Sequence, residues 1–414
     1  MHTPRANSIL FGAYVVFSSI ILLVALILPG VRTRPLLAKA PLRDWFLDKA
    51  LPAVLPKPDP VVISVLYSTE KEAWLTDVIR EFEASQPALE NRRPIQIQFE
   101  KMGSREIYVS VLDGTRKPDV ISPASMLQIA ILQDLSAGKF GKPIVNQADL
   151  NTCRSTVITP LVLVGWKERA DVLWGDQPGD QLWKQMHDIL IDPKGWSSFG
   201  HPEWGYVKFG HTDPLKSNSG FMTIVLMTYS YFEKLSGLTS NDILSDQDYQ
   251  QWFIDFEKAI SQFEYSTGPL MEKMIAYGPS TYDLVTVYEA TAIEQAANAV
   301  GRYGQLYIYY PPATVWSDHP FCILQADWVT PEKAEAAKIF IDYLLSKPVQ
   351  EIALLRYGFR PVDASIPIDQ PGSPFVKYSP NGFRIDLADL PTVEVPDGSA
   401  LNTLLEFWSR YIGR

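Results

Sequence analysis

The feature that most constrains this chain is an uncharged run of 19 residues, 10–28. With a rise of about 1.5 Å per residue, a helix of that length spans a hydrocarbon core of about 30 Å. A secretory signal would have a shorter apolar run with a cleavage site close behind it, whereas the only A-x-A sequence here, residues 38–40, lies well downstream and carries a lysine. The sequence therefore predicts an uncleaved transmembrane anchor over residues 10–30, with a cleaved signal as the alternative.

The charges that flank this run give conflicting indications of its orientation. Arg5 precedes the apolar run, and four positive charges follow it: Arg32, Arg34, Lys39 and Arg43. The positive-inside rule would place the rest of the chain in the cytoplasm, although large domains often translocate regardless of flanking charge. From the fold argument below, we expect a single-pass cell-membrane protein with residues 1–9 cytoplasmic and the body extracytoplasmic. Residues 31–60 contain six prolines and predict a stiff spacer.

Composition excludes several classes of protein. The chain has 414 residues, enough for two or three domains, and 46% of them are hydrophobic, which excludes a disordered protein. There are 37 Lys and Arg against 47 Asp and Glu, and the resulting net charge of −10 argues against nucleic-acid binding. Two cysteines are too few for a disulfide-built scaffold and lack the spacing of a structural zinc site.

Strands and helices alternate through the first part of the body. Residues 61–67 form a short β-branched run typical of a strand buried on both faces, and residues 95–99 alternate between apolar and polar, as in a half-exposed strand. A third short strand is predicted at residues 119–121. This alternation predicts an α/β fold with a mostly parallel sheet, in which ligands bind outside the carboxyl ends of the strands.

Each of these strands leads into a predicted helix start. Thr69 and Glu72 have the spacing of a capping box, Ser104 opens a second helix that Gly114 closes, and Ser122 is predicted to cap a third helix. The strand ends would therefore bring hydroxyls and free backbone N–H groups to one edge of the sheet.

The second part of the body repeats this pattern. Residues 156–164 form a long apolar strand, and Pro160 in its middle suits a crossover between lobes better than a central strand. Residues 217–220, Ser-Asn-Ser-Gly, precede an apolar helix predicted over residues 221–232. Gly220 would let the backbone approach a ligand closely.

The chain resembles the extracellular solute-binding proteins of type II topology, close to the molybdate-binding-like branch. The resemblance covers about residues 61–365 and is carried by Tyr67–Trp74, Met102–Arg105, Ser122–Ser125, Gly200–Gly205, Gly210–Pro214, Ser217–Gly220, Ser317–Pro320 and Tyr357–Pro361. The chain is similar to a subgroup of these proteins in which the solute-binding domain often accompanies a von Willebrand factor A domain. The D-x-S-x-S metal motif of the von Willebrand factor A domain does not occur in this sequence.

The resemblance implies a two-lobed periplasmic-binding-protein type II fold, with mixed, mostly parallel sheets, flanking helices and two hinge crossings. Lobe 1 would comprise residues 61–157 and 323–414, and lobe 2 residues 158–322. Cys153 and Cys322 would lie beside the crossings, either as a hinge disulfide or as two buried thiols. The expected partners are a small-molecule ligand and an ABC-type permease or a von Willebrand factor A domain protein, with no cofactor.

The candidate ligand-binding residues share positions at helix N-termini or at the end of a strand. They are Ser68, Thr69, Ser104, Ser122, Ser125, Ser217, Asn218, Ser219, Thr267 and Tyr288. Helix N-termini suit an oxyanion, although each residue could instead only cap its own helix or pack in the core. Glu70 and Glu289 would repel an anion if they lined the cleft, which would favour a metal cation or a sugar or polyol. Arg105 is either a ligand clamp or a surface residue.

Two other functions remain open at this point. His201 and His211, with Asp213, suggest a metal or catalytic site, but no H-E-x-x-H helix and no third ligand is evident, and residues 217–220 are not a G-x-S-x-G elbow. The sequence therefore predicts a binding protein with no metal and no catalytic residues. The other alternative is a ligand-free or sensor-like assembly module at the cell surface.

Overall fold

The computed structural model describes residues 58–175 and 177–413. The chain divides into two compact units. The smaller comprises residues 1–60 and 90–94, of which 58–60 and 90–94 are described, and the larger comprises residues 61–89 and 95–414. The larger unit is called the body below, and it contains every helix and strand named here.

The predicted anchor, residues 10–30, and nearly all of the predicted spacer lie outside the described residues. Within the described residues, no helix combines the length and apolarity needed to span a bilayer.

The body contains two β-sheets. Within the described residues the strands are β1 Val61–Ser68, β2 Ile95–Met102, β3 Val120–Ser122, β4 Cys153–Ser155, β5 Val157–Trp166, β6 Phe209–Gly210, β7 Leu284–Tyr288, β8 Leu306–Tyr309, β9 Trp316–Ser317, β10 Pro320–Ile323 and β11 Arg360–Pro361. The first sheet has the order β2-β1-β3-β10-β4, with β1, β2 and β3 parallel and β10 antiparallel to its neighbours. The second has the order β11-β5-β7-β6, with β8 and β9 also paired to β5. Only β6 and β7 are parallel in the described part of that sheet, so the expected mostly parallel arrangement holds for the first sheet alone.

Helices pack around both sheets. They are α1 Glu72–Ala84, α2 Ser104–Asp113, α3 Met126–Phe140, α4 Lys167–Trp174, α5 Leu182–Ile191, α6 Asn218–Tyr231, α7 Ser240–Ser245, α8 Gln247–Ala259, α9 Thr267–Tyr277, α10 Glu289–Ala296, α11 Pro331–Leu344, α12 Lys347–Tyr357, α13 Pro374–Lys377 and α14 Gly398–Tyr411. Gly114 ends α2 in the left-handed region, as its position in the sequence predicts.

Three of the predicted helix starts are wrong. The apolar helix predicted over residues 221–232 begins at Asn218 and ends at Tyr231. The capping box of Thr69 and Glu72 does not form, because residues 69–71 make a 3₁₀ turn and the first α-helix begins only at Glu72. The Ser68 hydroxyl instead donates a hydrogen bond of 2.5 Å to Glu70. The third helix begins after Ser125 rather than after Ser122, since Ser122 is still paired in β3, and the Ser125 side chain makes no capping hydrogen bond.

The chain passes between the sheets three times within the described residues, whereas the resemblance implies two crossings. It leaves the first sheet between β4 and β5, at Thr156, and returns between β9 and β10, at residues 318–319. It then leaves again after α12, because Gly358 ends that helix in the left-handed region and β11 pairs with β5. Arg360 of β11 is held there by a buried ion pair with Glu289.

This third crossing changes where the C-terminal residues lie. Phe340 and Leu344 of α11 pack with the core of the first sheet, as expected for lobe 1. Phe375 and Phe383, which the sequence assigns to the same lobe, pack with the core of the second sheet. The lobe boundaries at residues 157 and 323 stay a prediction.

Pro160 lies inside β5, a strand with partners on both sides. Residues 157–158 pair with β11, residues 159–160 with β9, and residues 161–165 with β7. The proline therefore stands where one neighbour ends and the next begins, a position at which its missing N–H costs little.

The two sheets are connected through a shared core. One buried cluster contains Ile121 from the first sheet, Phe253 from α8 and Leu404 from α14. The C-terminal helix α14 packs against α3, which lies beside the first sheet, and against α7 in the other part of the body.

Cys153 and Cys322 are joined by a disulfide, and they are directly opposed on the antiparallel strands β4 and β10. Both side chains are fully buried. The bridge therefore ties together the two strands that flank the first two crossings.

Replacing both cysteines by serine is expected to destabilise the body, because the bridge spans 169 residues of sequence. Loop-closure entropy sets the loss of unfolding free energy at up to about 5 kcal/mol. Denaturant unfolding of the native and variant chains, with and without reductant, measures it. Reductant should destabilise the native chain alone, and equal stabilities in all four conditions would contradict a structural role for the bridge.

Candidate functional site

A cavity of about 840 Å³ lies within the body, lined by residues from both predicted lobes. Lobe 1 contributes the turn after β1, with Thr69 and Glu70, and the end of α12, with Tyr357 and Phe359. The other wall comes from the starts of α9 and α10 and from residues 372–378. We call this cavity the cleft.

Three helix beginnings meet at the cleft. They are the 3₁₀ turn that leads into α1, the first turn of α9 at Gly268, and the first turn of α10 at Ala290. The 3₁₀ turn and α10 follow β1 and β7 directly, as expected at the carboxyl ends of strands, whereas α9 follows a loop after α8.

The charged side chains of the cleft are mostly acidic. The lining contains Glu70, Glu72, Glu272 and Glu294 against Arg356 and Lys377. Glu72 is paired with Lys101 at 2.9 Å, but no ion pair is recorded for Glu272 or Glu294 among the described residues. Burial, and then the charge of Glu272, raise the pKa of Glu294 above its usual value. A cation or a hydrogen-bond donor placed between these two carboxylates would be stabilised.

A buried polar network joins the two predicted lobes next to the cleft. The Asn218 side-chain oxygen accepts hydrogen bonds of 2.9 Å from the Ser125 hydroxyl and from Gln128 of α3. The Asn218 side-chain N–H donates to the Tyr288 hydroxyl at 3.2 Å. Burial raises the pKa of Tyr288 well above its usual value, so this hydroxyl stays protonated. Asn218 at the start of α6 therefore links α3 on one side to β7 on the other.

A second cluster of hydroxyls lies at the same end of α6. The Ser219 hydroxyl lies 2.7 Å from that of Thr267 and 2.9 Å from that of Thr212, and Ser217 is 3.5 Å from Thr267. Gly220 packs directly on Thr212, because a Cβ at Gly220 would overlap the Thr212 carbonyl oxygen. The glycine therefore serves close backbone packing, and no ligand is needed to explain it.

The structure separates the ten predicted site residues into two groups. Thr69 and Tyr288 line the cleft. The other eight do not: Ser68, Ser104, Ser122, Ser125, Asn218, Ser219 and Thr267 are buried, and Ser217 is half-buried. Most of their hydroxyls have protein partners; Ser104, for example, accepts the Ala124 N–H at 3.0 Å. The Ser122 hydroxyl has no hydrogen-bond partner among the described residues.

Sequence reasoning missed several residues at this site. Glu272 and Glu294 sit within ordinary helical patterns, and Lys71 and His319 are far apart in sequence but touch in the fold. Of the two glutamates expected to oppose an anion, Glu70 lines the cleft, whereas Glu289 is fully buried and paired with Arg360 at 2.6 Å.

His201 and His211, the two histidines that suggested a metal or catalytic site, both have protein partners. His211 is buried between the Thr212 carbonyl oxygen, 2.7 Å from Nδ1, and Glu257, 3.0 Å from Nε2. Burial lowers the pKa of His211, but the Glu257 charge and these hydrogen bonds outweigh it and raise the pKa overall. His201 instead stacks on Trp204 at a ring distance of 3.9 Å. No group of three metal-ligating side chains occurs among the described residues.

A sequence model of the bacterial extracellular solute-binding proteins matches residues 63–360, which is most of the chain. The chain belongs to this family. Comparison with curated protein sequences finds no match.

Solved structures of solute-binding proteins share the fold. Iron-bound HitA of Pseudomonas aeruginosa has a TM-score of 0.56 at 14% identity, over 85% of this chain and 100% of its own. AfuA of Actinobacillus pleuropneumoniae, with fructose-6-phosphate bound, has 0.55 at 16% identity, over 85% and 98%. Apo ferric ion-binding protein A of Pasteurella haemolytica has 0.55 at 13% identity, over 84% and 97%. At these identities the likeness concerns the fold alone.

Family membership confirms three of the expectations from the sequence. This solute-binding protein is extracytoplasmic, it is not an enzyme, and its body has the two-sheet α/β fold of periplasmic binding proteins. The molybdate-binding-like branch and the association with a von Willebrand factor A domain stay predictions.

Gly220→Ala is expected to destabilise this solute-binding protein, because the new methyl group overlaps the Thr212 carbonyl oxygen. Overpacking of this kind costs about 1–3 kcal/mol of unfolding free energy. Gly268→Ala is the matched control, since it lies in the first turn of α9 with open space around its Cβ position. Thermal unfolding should show a lower midpoint for Gly220→Ala only; similar midpoints for both variants would contradict the close packing at Gly220.

Proposed function

We propose that this protein captures a small solute in the cleft and delivers it to an ABC-type permease, while residues 10–30 anchor it in the cell membrane. The cleft carries this proposal, because it lies between elements on both sides of the crossings and is lined by residues from both predicted lobes. A solute that contacts both walls binds the closed arrangement better than an open one, and that difference in affinity drives closure.

The solute that best fits the cleft is a sugar or polyol. The carboxylates of Glu70, Glu272 and Glu294 accept hydrogen bonds from hydroxyl groups, and the starts of α9 and α10 donate to hydroxyl oxygens. The rings of Tyr288, Tyr357, Phe359 and Tyr378 supply flat apolar surface. AfuA, which has the same fold, was solved with fructose-6-phosphate bound.

A free oxyanion, the ligand class that the sequence favours, is less well supported by the cleft. Eight of the ten residues predicted to bind it are buried, Tyr288 among them, and most of their hydroxyls are already used by protein partners. An oxyanion in the cleft would face four glutamates against one arginine and one lysine. A metal cation is disfavoured as well, since no three-ligand group occurs among the described residues.

A thermal-shift screen of sugars and polyols, oxyanions and divalent metals tests this function. A ligand at about 100 times its Kd should add about 2.7 kcal/mol of stability, and we expect this from a sugar or polyol. Stabilisation by an oxyanion alone would restore the oxyanion prediction. Absence of any hit would contradict solute capture and favour a ligand-free assembly module.

Glu272→Gln and Glu294→Gln should each weaken binding of the hit by about tenfold or more, because each replaces a charged acceptor with a neutral one. Glu168→Gln, an exposed carboxylate of α4 outside the cleft, is the matched control and should bind like the native protein. Calorimetric titration measures the three affinities. Equal affinities would remove Glu272 and Glu294 from the site.

A further inference from the structure

The first two crossings are hydrogen-bonded to each other. The Ser155 hydroxyl donates to the Asp318 carboxylate at 2.7 Å, and the Thr156 hydroxyl donates to the His319 carbonyl oxygen at 2.8 Å. Strand pairing continues on both sides, with Pro320 opposite Ser155 and Ser317 opposite Thr159. Any change in the angle between the sheets must act on these residues, which we call the paired crossings.

His319 is the most constrained residue of the paired crossings. Its φ of 41° lies in the left-handed region, which is uncommon for a residue other than glycine. Its side chain is fully buried, with Nδ1 at 3.4 Å from Lys71 Nζ and Nε2 at 3.4 Å from the Ser317 hydroxyl. Lys71 is fully buried too, and its ammonium donates to the Pro123 carbonyl oxygen at 3.0 Å.

These contacts fix the direction of each hydrogen bond. The Ser317 hydroxyl donates to the Ala124 carbonyl oxygen at 2.7 Å, so its oxygen is free to accept the His319 Nε2–H. Nδ1 then has no proton and accepts from Lys71. His319 is therefore neutral in this arrangement, because a proton on Nδ1 would point at the Lys71 amine.

A competing partner for Nδ1 lies on the cleft side. The Glu70 carboxylate is 3.6 Å from Nδ1, and Glu70 lines the cleft one residue before Lys71. The other groups that face this pair are the Asp318 carboxylate and the Tyr288 hydroxyl, which interact electrostatically with Lys71 and with Glu70. The rings of Phe359 and Tyr288 lie 5.1 and 6.3 Å from the His319 ring, and both residues also line the cleft.

We propose that the paired crossings contain an acid-sensitive switch, in which protonation of His319 exchanges its contact with Lys71 for one with Glu70 and favours opening of the lobes. The proton on Nδ1 removes the acceptor that Lys71 uses and places two cations side by side in a buried site. Movement of Tyr288 and Phe359 away from His319 lets water reach both cations. Closure and proton release are thereby linked in the protein without any solute, so the switch does not depend on the nature of the ligand.

The electrostatics of the observed arrangement agree with this direction. Burial, and then the Lys71 charge, lower the pKa of His319 well below its ordinary value, and burial lowers the pKa of Lys71 to about 7 despite Glu70 and Asp318. Burial also raises the pKa of Asp318, so acid weakens its compensating charge. A group whose pKa is depressed by burial takes up a proton when opening exposes it. For Lys71 this uptake occurs between about pH 7 and its ordinary pKa near 10.5. For His319 it occurs below its ordinary pKa near 6.5. Acidification therefore favours the open form in both windows.

Hydrogen–deuterium exchange of the unliganded full chain, corrected for intrinsic rates, tests the switch between about pH 7 and about pH 5, below the window in which Lys71 takes up its proton. In the native protein, the exchange protection of the backbone amides in residues 153–157 and 317–323 should fall by about tenfold or more on acidification. A tenfold change corresponds to a difference of one unit between the pKa values of His319 before and after opening. His319→Asn should abolish most of this fall, because asparagine tolerates the left-handed backbone but does not titrate. His201→Asn, an identical change at a histidine remote from the crossings, should respond like the native protein.

A second pair of variants keeps the test decisive if His319→Asn fails to fold. Glu70→Gln should move the fall in protection to lower pH, because it removes the acceptor of the protonated ring. Glu72→Gln, which also lines the cleft, should leave the midpoint unchanged. The proposal is overturned if native protection does not depend on pH, if His319→Asn responds like the native protein, or if Glu70→Gln and Glu72→Gln give the same midpoint. None of these results bears on whether a solute binds.

Discussion

The architecture of this protein depends on the bonding between its paired crossings. The chain leaves the first sheet at Ser155 and Thr156 and returns to it at Asp318 and His319. Hydrogen bonds donated by the Ser155 and Thr156 hydroxyls join these two segments. The Cys153–Cys322 disulfide lies next to them, on the strands that flank the crossings. The two hydrogen bonds therefore join the chain segments that connect the sheets, and the disulfide ties the strands of the first sheet from which they run. If the lobes move as the proposed function requires, these residues are where the chain has to bend.

Buried hydrogen bonds and apolar packing both hold the parts of the body in the observed arrangement. Asn218 connects α3 to β7 through buried hydrogen bonds, which would be exchanged for water on opening. Helix α14 packs against both α3 and α7, and Trp408 in it donates a 2.6 Å hydrogen bond to Glu257, the partner of His211. The C-terminal helix thus adds a second connection between the parts of the body. Any opening of the lobes would have to keep the contacts of this helix or repack them.

Local patterns in the sequence predicted much of the first sheet but less of the site. The β-branched run at residues 61–67 and the alternating run at 95–99 became β1 and β2, since burial of strands leaves a period that can be read locally. Residues 217–220 were expected to precede an apolar helix, but only Ser217 does so, because α6 begins at Asn218. By contrast, the contact of Lys71 with His319 joins residues 248 positions apart, and no spacing rule predicts it. The third crossing depends on the buried Arg360–Glu289 pair, which is equally non-local. The hydroxyls predicted to bind a ligand were assigned from helix position alone, which does not distinguish a lining residue from one that is satisfied inside the protein.

The distance between the lobes, measured with and without a stabilising solute, tests the central claim most directly. Spin labels at Glu81 of α1 and Tyr277 of α9, both exposed, report on elements whose first turns form opposite walls of the cleft. If the lobes close about the paired crossings, a saturating solute should shorten and narrow the distance distribution relative to the unliganded protein. An unchanged distribution at saturation would show that binding does not move the lobes, and it would contradict the account.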